Sequence, residues 1–410
     1  MSCEEDCKVG QTYSYFEPVY TSYDELRSSV KLTPAIPLRS HGKIFFKDNY
    51  LFINSPNEGV HVIDNSDPSH PKNLAFIKIP GSFDLVVKGN LLYSDSYIDL
   101  VVIDISNINS AIEVDRLEGV FSGYNSYGFY AEPELGIVTD WQEETLGETA
   151  WVDCGEAVSH PWGSWYEDGI ALQNSAAFST AQAVSPTNPG MAGSMSRFAL
   201  SNDHLFMIDG ADLLSINLQN LGPDNINEKL FIDWGIETLF PYKNNLFVGA
   251  QNGMHILDIS TPDQPTKIST YTHVNSCDPV VVDGDYAYVT LRSGNDCAGF
   301  TNQLEIINIS NLENPQIEHV YQMTNPHGLG KDADALFICD GNDGLKIYNV
   351  SDVSKIDANL VAHYKGIESF DVIPFDHVAM MIGEDGLYQY DYSDLTNIKL
   401  LSHLPIQADH

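Results

Sequence analysis

The sequence predicts an all-β chain closed into a single β-propeller of eight blades, with seven as the second choice, and three observations predict it. The stretch from Tyr50 to Ser106 says nearly the same thing twice, as YLFINSPNEGVHVIDNSDPSHPKNLAFIKIPG and then SFDLVVKGNLLYSDSYIDLVVIDIS. Each half breaks its apolar runs with Gly, Asn or acidic turns and closes on Val-Ile-Asp. That reads as three short strands joined by hairpins, with a fourth over KNLAFIKI. The same ending recurs at Asp64, Asp104, Asp153, Asn217, Asp258, Asn308, Asn349 and Asp391, mostly 40 to 42 residues apart. The turns that follow are built alike from Ser with Pro, Asn or Asp: NSDPSHP, ISTPDQP, ISNLENP, VSDVSKI and YSDLTNI. A four-stranded unit of this size cannot bury both its faces alone, and neighbours in a ring supply the cover.

Taken in order, residues 1–41 form a Tyr- and Pro-rich leader that packs against the ring, with one helical turn over 23–27. Residues 42–410 form the propeller. Its third unit is taken from YGFYAEPELGIVTDWQEE and ETAWVDC, and a long insertion over 154–195 follows it. Removing those residues restores a near-regular period and gives the eight units. Innermost strands such as FDLVV, PVVV and FDVI are continuous apolar runs, as strands covered on both faces require. In the turns, Pro presets φ while Ser, Asn and Asp side chains cap free amides. The Asp or Asn before each turn is read as a folding device, since it repeats in every unit.

Twenty basic against 57 acidic residues leave a formal charge of -37, spread along the chain. Nucleic acid is excluded as a partner, because it demands a basic footprint. Cationic ligands, divalent metals and basic protein surfaces fit the charge. At 43% apolar residues the chain supports a sizeable core. No run of about 18 apolar residues occurs, so no helical membrane span is expected. Cys3, followed by Glu4, Glu5 and Asp6, resembles the lipidated cysteine and acidic export signal of bacterial surface lipoproteins; the other reading is a frayed polar terminus. The membrane is thus met only through a lipid anchor.

At VIDNSDP, LVVIDIS and HILDIS the chain resembles the LVIVD-repeat proteins, a bacterial β-propeller family named for that third strand. Segments such as EPVYTSYDELRSSV, GSMSRF, CDPVVVDGDYAYVTLRSG, NPHGL and DGLYQYDYS look like the lipoprotein branch found in Bacteroidetes. The resemblance implies the fold over nearly the whole chain and implies no particular activity. It points to the outer membrane as the location, with the protein exposed at the cell surface.

Hairpin loops and the turns leading into each blade emerge on one face, where propellers usually carry ligands. The hairpins bring Asp95, Asp99, Asp340 and Asp343, which either ligate calcium or form a solvated acidic rim. The turns into the blades bring Asp84, Arg197, Glu237, Asp278, His327 and Asp371. With Arg292, the set Asp84, Asp278, His327 and Asp371 is the candidate acid/base site of a hydrolase or lyase. No nucleophile elbow, phosphate loop or paired-His metal motif accompanies it, and no cofactor other than calcium is expected. Within the insertion, Trp162, Trp165, Tyr166 and Phe178 either present an aromatic surface to a glycan or protein, or fold back over the blades. Cys277 and Cys297 fall in neighbouring loops of one blade and are expected to form a disulfide. Cys339 reads as a buried thiol, and Cys7 and Cys154 either pair or stay free. The functional expectation is a rigid binding or scaffolding module, in an outer-membrane protein assembly or in glycan recognition. Its rivals are the channel-mouth enzyme and a calcium-stabilised structural propeller.

Overall fold

The computed structural model describes residues 8–11, 14–122, 130–145, 150–153, 180–181, 191–222, 226–273, 279–293 and 301–407. They are almost all β. Blade 1 shows the plan: Ile44–Lys47, Tyr50–Ser55, Gly59–Asp64 and Lys72–Lys78 pair antiparallel in sequence order, from the ring's axis outward. The innermost strands of the other six sheets are Leu85–Lys88, Phe198–Ser201, Ile236–Tyr242, Val280–Asp283, Leu329–Asp332 and Ser369–Phe375, and we number blades 2 to 7 in that order. Each innermost strand touches the next, and Ser369–Phe375 returns to Ile44–Lys47. Among the described residues the ring therefore closes with seven blades of four strands each, the first extended at both edges by further strands.

The expectation of eight blades is corrected by the unit ending at Asp153. Its strand Gly136–Thr145 pairs with the leader strand Ser14–Thr21 and with Ala131–Glu132, while Ala150–Asp153 pairs with Lys8–Gln11. Leader and unit thus complete each other outside the ring, because among the described residues the unit has too few strands to form a wedge of its own. The rest of the leader also packs as structure. A helix, Tyr23–Ser28, starts where the Ser22 hydroxyl accepts from the Glu25 amide, and it buries Leu26 against Tyr97 and Ile137. Lys31–Pro34 adds a strand to the outer edge of blade 1.

Burial follows the plan. In blade 1 the second strand is buried from Leu51 to Ser55, while outer strands such as Gln316–Gln322 show mostly exposed side chains. Apolar clusters lie between blades: one joins Leu38 of the leader and Ile44, Leu51, Ile53 and Ile63 of the first blade to Ile373, Met380, Ile382 and Leu387 of the last. Each such side chain is worth roughly 1.5–3 kcal/mol of burial. No strand is exchanged across this junction among the described residues. Instead Asn65 and Gln389, both buried, exchange amide hydrogen bonds of 2.9 and 2.7 Å, and the Gln407 amide donates to Leu38 O at 2.7 Å.

The insertion ends inside the ring. Met191–Gly193 pairs with the axial edge of Ile44–Lys47, Thr180–Ala181 pairs with it in turn, and their backbones touch the innermost strands of blades 4 to 7. The channel thus holds a stretch of the chain itself. No helix among the described residues is long and apolar enough to cross a membrane.

Candidate functional site

Among the described residues the turns into the blades build largely a set of joints. Asp84, buried, precedes the innermost strand of blade 2. Its carboxylate accepts from the Ser196 hydroxyl at 3.1 Å, the Arg197 amide at 2.6 Å and the Leu85 amide at 2.7 Å, with Lys43 Nζ 3.7 Å away. Lys43 in turn donates to Met195 O at 2.9 Å, and the Leu329 amide of blade 6 donates to the Ser194 hydroxyl at 2.9 Å. The return of the insertion, 194–197, is thereby pinned to three blades. A buried ion pair of this kind costs much to break from one side.

His327, at the start of blade 6, lies edge-on to Phe370 with ring centroids 5.2 Å apart. Among the described residues its imidazole Nε2 meets the Asn325 amide at 3.2 Å, where an acid/base pair would show a carboxylate. Burial pushes its pKa well down, helped by the positive charge of Arg292. Arg292 is itself lowered by burial, against the pull of Glu237, which also accepts from Gln251 at 3.0 Å. His41 also stacks on Phe370, centroids 4.3 Å apart, and burial takes it down to about 4. Asp371 is fully buried, one Oδ accepting from the Val372 amide at 2.9 Å. It sits so close to Gly328 that a Cβ there would lie 2.1 Å from Oδ1. Asp278 lies outside the described residues.

Asp95 behaves differently from its rim neighbours. It accepts from the Phe83 and Asp84 amides at 2.7 and 3.0 Å, yet burial, together with the charge of Asp84, pushes its carboxyl up to about 7.

Among the described residues the four rim carboxylates expected as calcium ligands are engaged by cations and backbone amides. Asp99, expected as a ligand, is buried and gripped by Arg27 at 2.8 Å, Arg116 at 3.1 Å and the Gly119 amide at 2.9 Å. Asp340 is buried against Lys346 and the Thr324 and Asn325 amides, and Asp343 pairs with the same lysine. Asp95 and Asp99 flank one hairpin but bond to different elements. Among the described residues no group of three or more His, Cys, Asp or Glu is arranged to hold a metal. Cys339 is a buried thiol, its pKa raised by burial. Trp162, Trp165, Tyr166, Phe178, Cys3, Cys7, Cys154, Cys277 and Cys297 lie outside the described residues.

Sequence reading missed His41, Lys43, Ser194 and Ser196. Aligning the repeats on their innermost strands puts Lys43 where Asp84 stands in the next blade and His41 where Ser82 stands, so the signal was present in the register. It also missed the exposed aromatic pair Phe231 and Trp234, 57% and 77% exposed and edge-to-face at 6.0 Å, for which no periodic signal exists.

The LVIVD repeat matches residues 40–76, 82–118, 242–273 and 276–322. No curated protein matches the chain in sequence. Among solved structures, Hsv2p of Kluyveromyces lactis is similar at 10% identity, covering 90% of this chain and 99% of its own, with a TM-score of 0.49. BamB of Moraxella catarrhalis is similar at 8% identity over 92% and 97%, also with 0.49, and the N-terminal domain of Nup159 at 8% over 90% and 93%, with 0.46. The LVIVD repeats and the closed ring of four-stranded sheets make this chain a β-propeller repeat protein.

Proposed function

We propose that the protein is a rigid β-propeller scaffold that binds other proteins at the outer surface of the outer membrane, held there by lipid on Cys3. One observation carries the scaffold reading: Asp84, the carboxylate best placed for chemistry at the channel mouth, is occupied by donors from its own and the neighbouring blades. The groups around the axis hold the ring and the threaded segment in place. Large apolar side chains are instead exposed on the outside, at Phe231 and Trp234 and on the strands that pair leader with unit. Cys3 with the acidic residues that follow it supports the anchor.

The test is to extract the native protein from its own membrane in mild detergent and measure its size and companions. The expected result is a discrete complex that survives His327→Gln, since the imidazole serves packing. A protein that migrates alone, with a turnover abolished by His327→Gln, overturns the reading. A Cys3→Ala variant that stays with the membrane fraction overturns the anchor.

A further inference from the structure

We propose that the ribbon formed by Ser14–Thr21 and Gly136–Thr145 is a docking arm for one extended segment of a partner protein, in which apolar and basic residues alternate. This rests on the scaffold reading and names the surface and the partner chemistry that serve it.

The base of the ribbon is anchored. Ile137 and Val138 are buried, and the chain at 130–132 runs along the free side of Gly136–Thr145 as far as Val138, whose amide donates to Tyr130 O at 2.9 Å. The register shifts at Thr139. Beyond it no strand among the described residues pairs with the outer edge of 140–145, and Asp140 to Glu143 are all exposed. A two-stranded ribbon open on both faces is marginal in water, and an unpaired strand edge is a template for another chain. The opposite edge carries Pro18, whose missing amide hydrogen suits an edge that stays unpaired. Strand addition therefore belongs on the side of 140–145.

The faces specify what is added. Directly paired residues share a face, so Phe16, Pro18, Trp141 and Glu143 lie together, with Phe16 58% and Trp141 45% exposed. The other face holds Asp140, Gln142 and Glu144 opposite Val19, Glu17 and Tyr15. Every charged residue in the two strands is acidic. An added strand turns alternate side chains to opposite faces. Apolar ones then meet Trp141 and basic ones meet Asp140 and Glu144, while an acidic strand is repelled by the ribbon and by a chain of net charge -37.

The test uses the full chain and three labelled nine-residue peptides: alternating Lys and Val, the same residues in two blocks, and alternating Glu and Val. The expected result, at about 0.15 M salt, is binding of the alternating Lys–Val peptide about tenfold tighter than the block peptide, with none by the Glu peptide. Amides over 139–145 gain protection from hydrogen exchange. Trp141→Ala and Glu144→Lys each weaken binding severalfold while the melting temperature stays put. Equal binding of the block peptide identifies unspecific attraction to an acidic surface and overturns the proposal, as does binding that survives both substitutions. If the peptides fail while the native complex persists, the arm is wrong and the scaffold reading stands; if the complex is absent as well, both fall.

Discussion

His61 and His255 occupy the same place in the third strands of blades 1 and 4, and both are fully buried. His61 accepts or donates at Ser55 Oγ, 3.1 Å away, and His255 at Thr270 Oγ1, 2.9 Å away. Burial takes each imidazole down to about 4 from 6.5. Above pH 6.5 both are neutral folded or unfolded. As pH falls from 6.5 towards 4, the unfolded chain takes up protons that the folded one refuses, so stability is lost across that window, by about 2–3 kcal/mol per histidine. Urea midpoints at pH 7.5 and 4.5 check this: His61→Leu should flatten the difference, and a variant as acid-labile as the parent refutes the account. Residues of this kind were not legible in the sequence, because nothing in GVHVID says whether the histidine faces solvent or the next blade. Asp84 was legible as a central residue, but its occupation was not, since Ser196 and Arg197 reach it from beyond the insertion.

The third-strand endings behave as their repetition implied. Asp64, Asp104, Asn217, Asp258, Asn308, Asn349 and Asp391 each accept from the amide two residues on, at 2.7–3.0 Å. Five of the loops they start then receive a hydroxyl from the preceding blade. Ser215 donates to Pro262 O, Ser269 to Leu312 O, Tyr321 to Val353 O, Tyr364 to Ile398 O and Ser402 to Pro68 O. One turn thus sets the local bend and offers a carbonyl to the neighbour. Tyr321→Phe should cost about 1 kcal/mol with an unchanged denaturant slope; a loss below a few tenths would show the bond to be incidental. The period made the turns readable, whereas partners some forty residues apart in the chain had to await the ring.

For the molecule as a whole, period and strand pattern gave the architecture, and counting endings alone gave one blade more than the described residues form. Asp153 satisfies the pattern while its strand pairs with Lys8–Gln11, since a short motif records a strand and not the company it keeps. The first and last blades are each contiguous in sequence, so the ring's seam rests on side chains and on the backbone bond from Gln407 to Leu38. Gln389→Ala leaves the buried amide of Asn65 without its reciprocal partner and should cost about 2–4 kcal/mol. Equilibrium unfolding followed by tryptophan fluorescence reads this directly, and a cost under about 0.5 kcal/mol would mean that the apolar cluster and the backbone bond hold the seam. The stretch at 191–197 has a temporal consequence. It is translated after blades 1 and 2 and before the other five, so it can settle along Ile44–Lys47 while the circle is still an open arc. The later wedges then wrap around a thread already laid, and a chain that closed first would have to reopen to admit it.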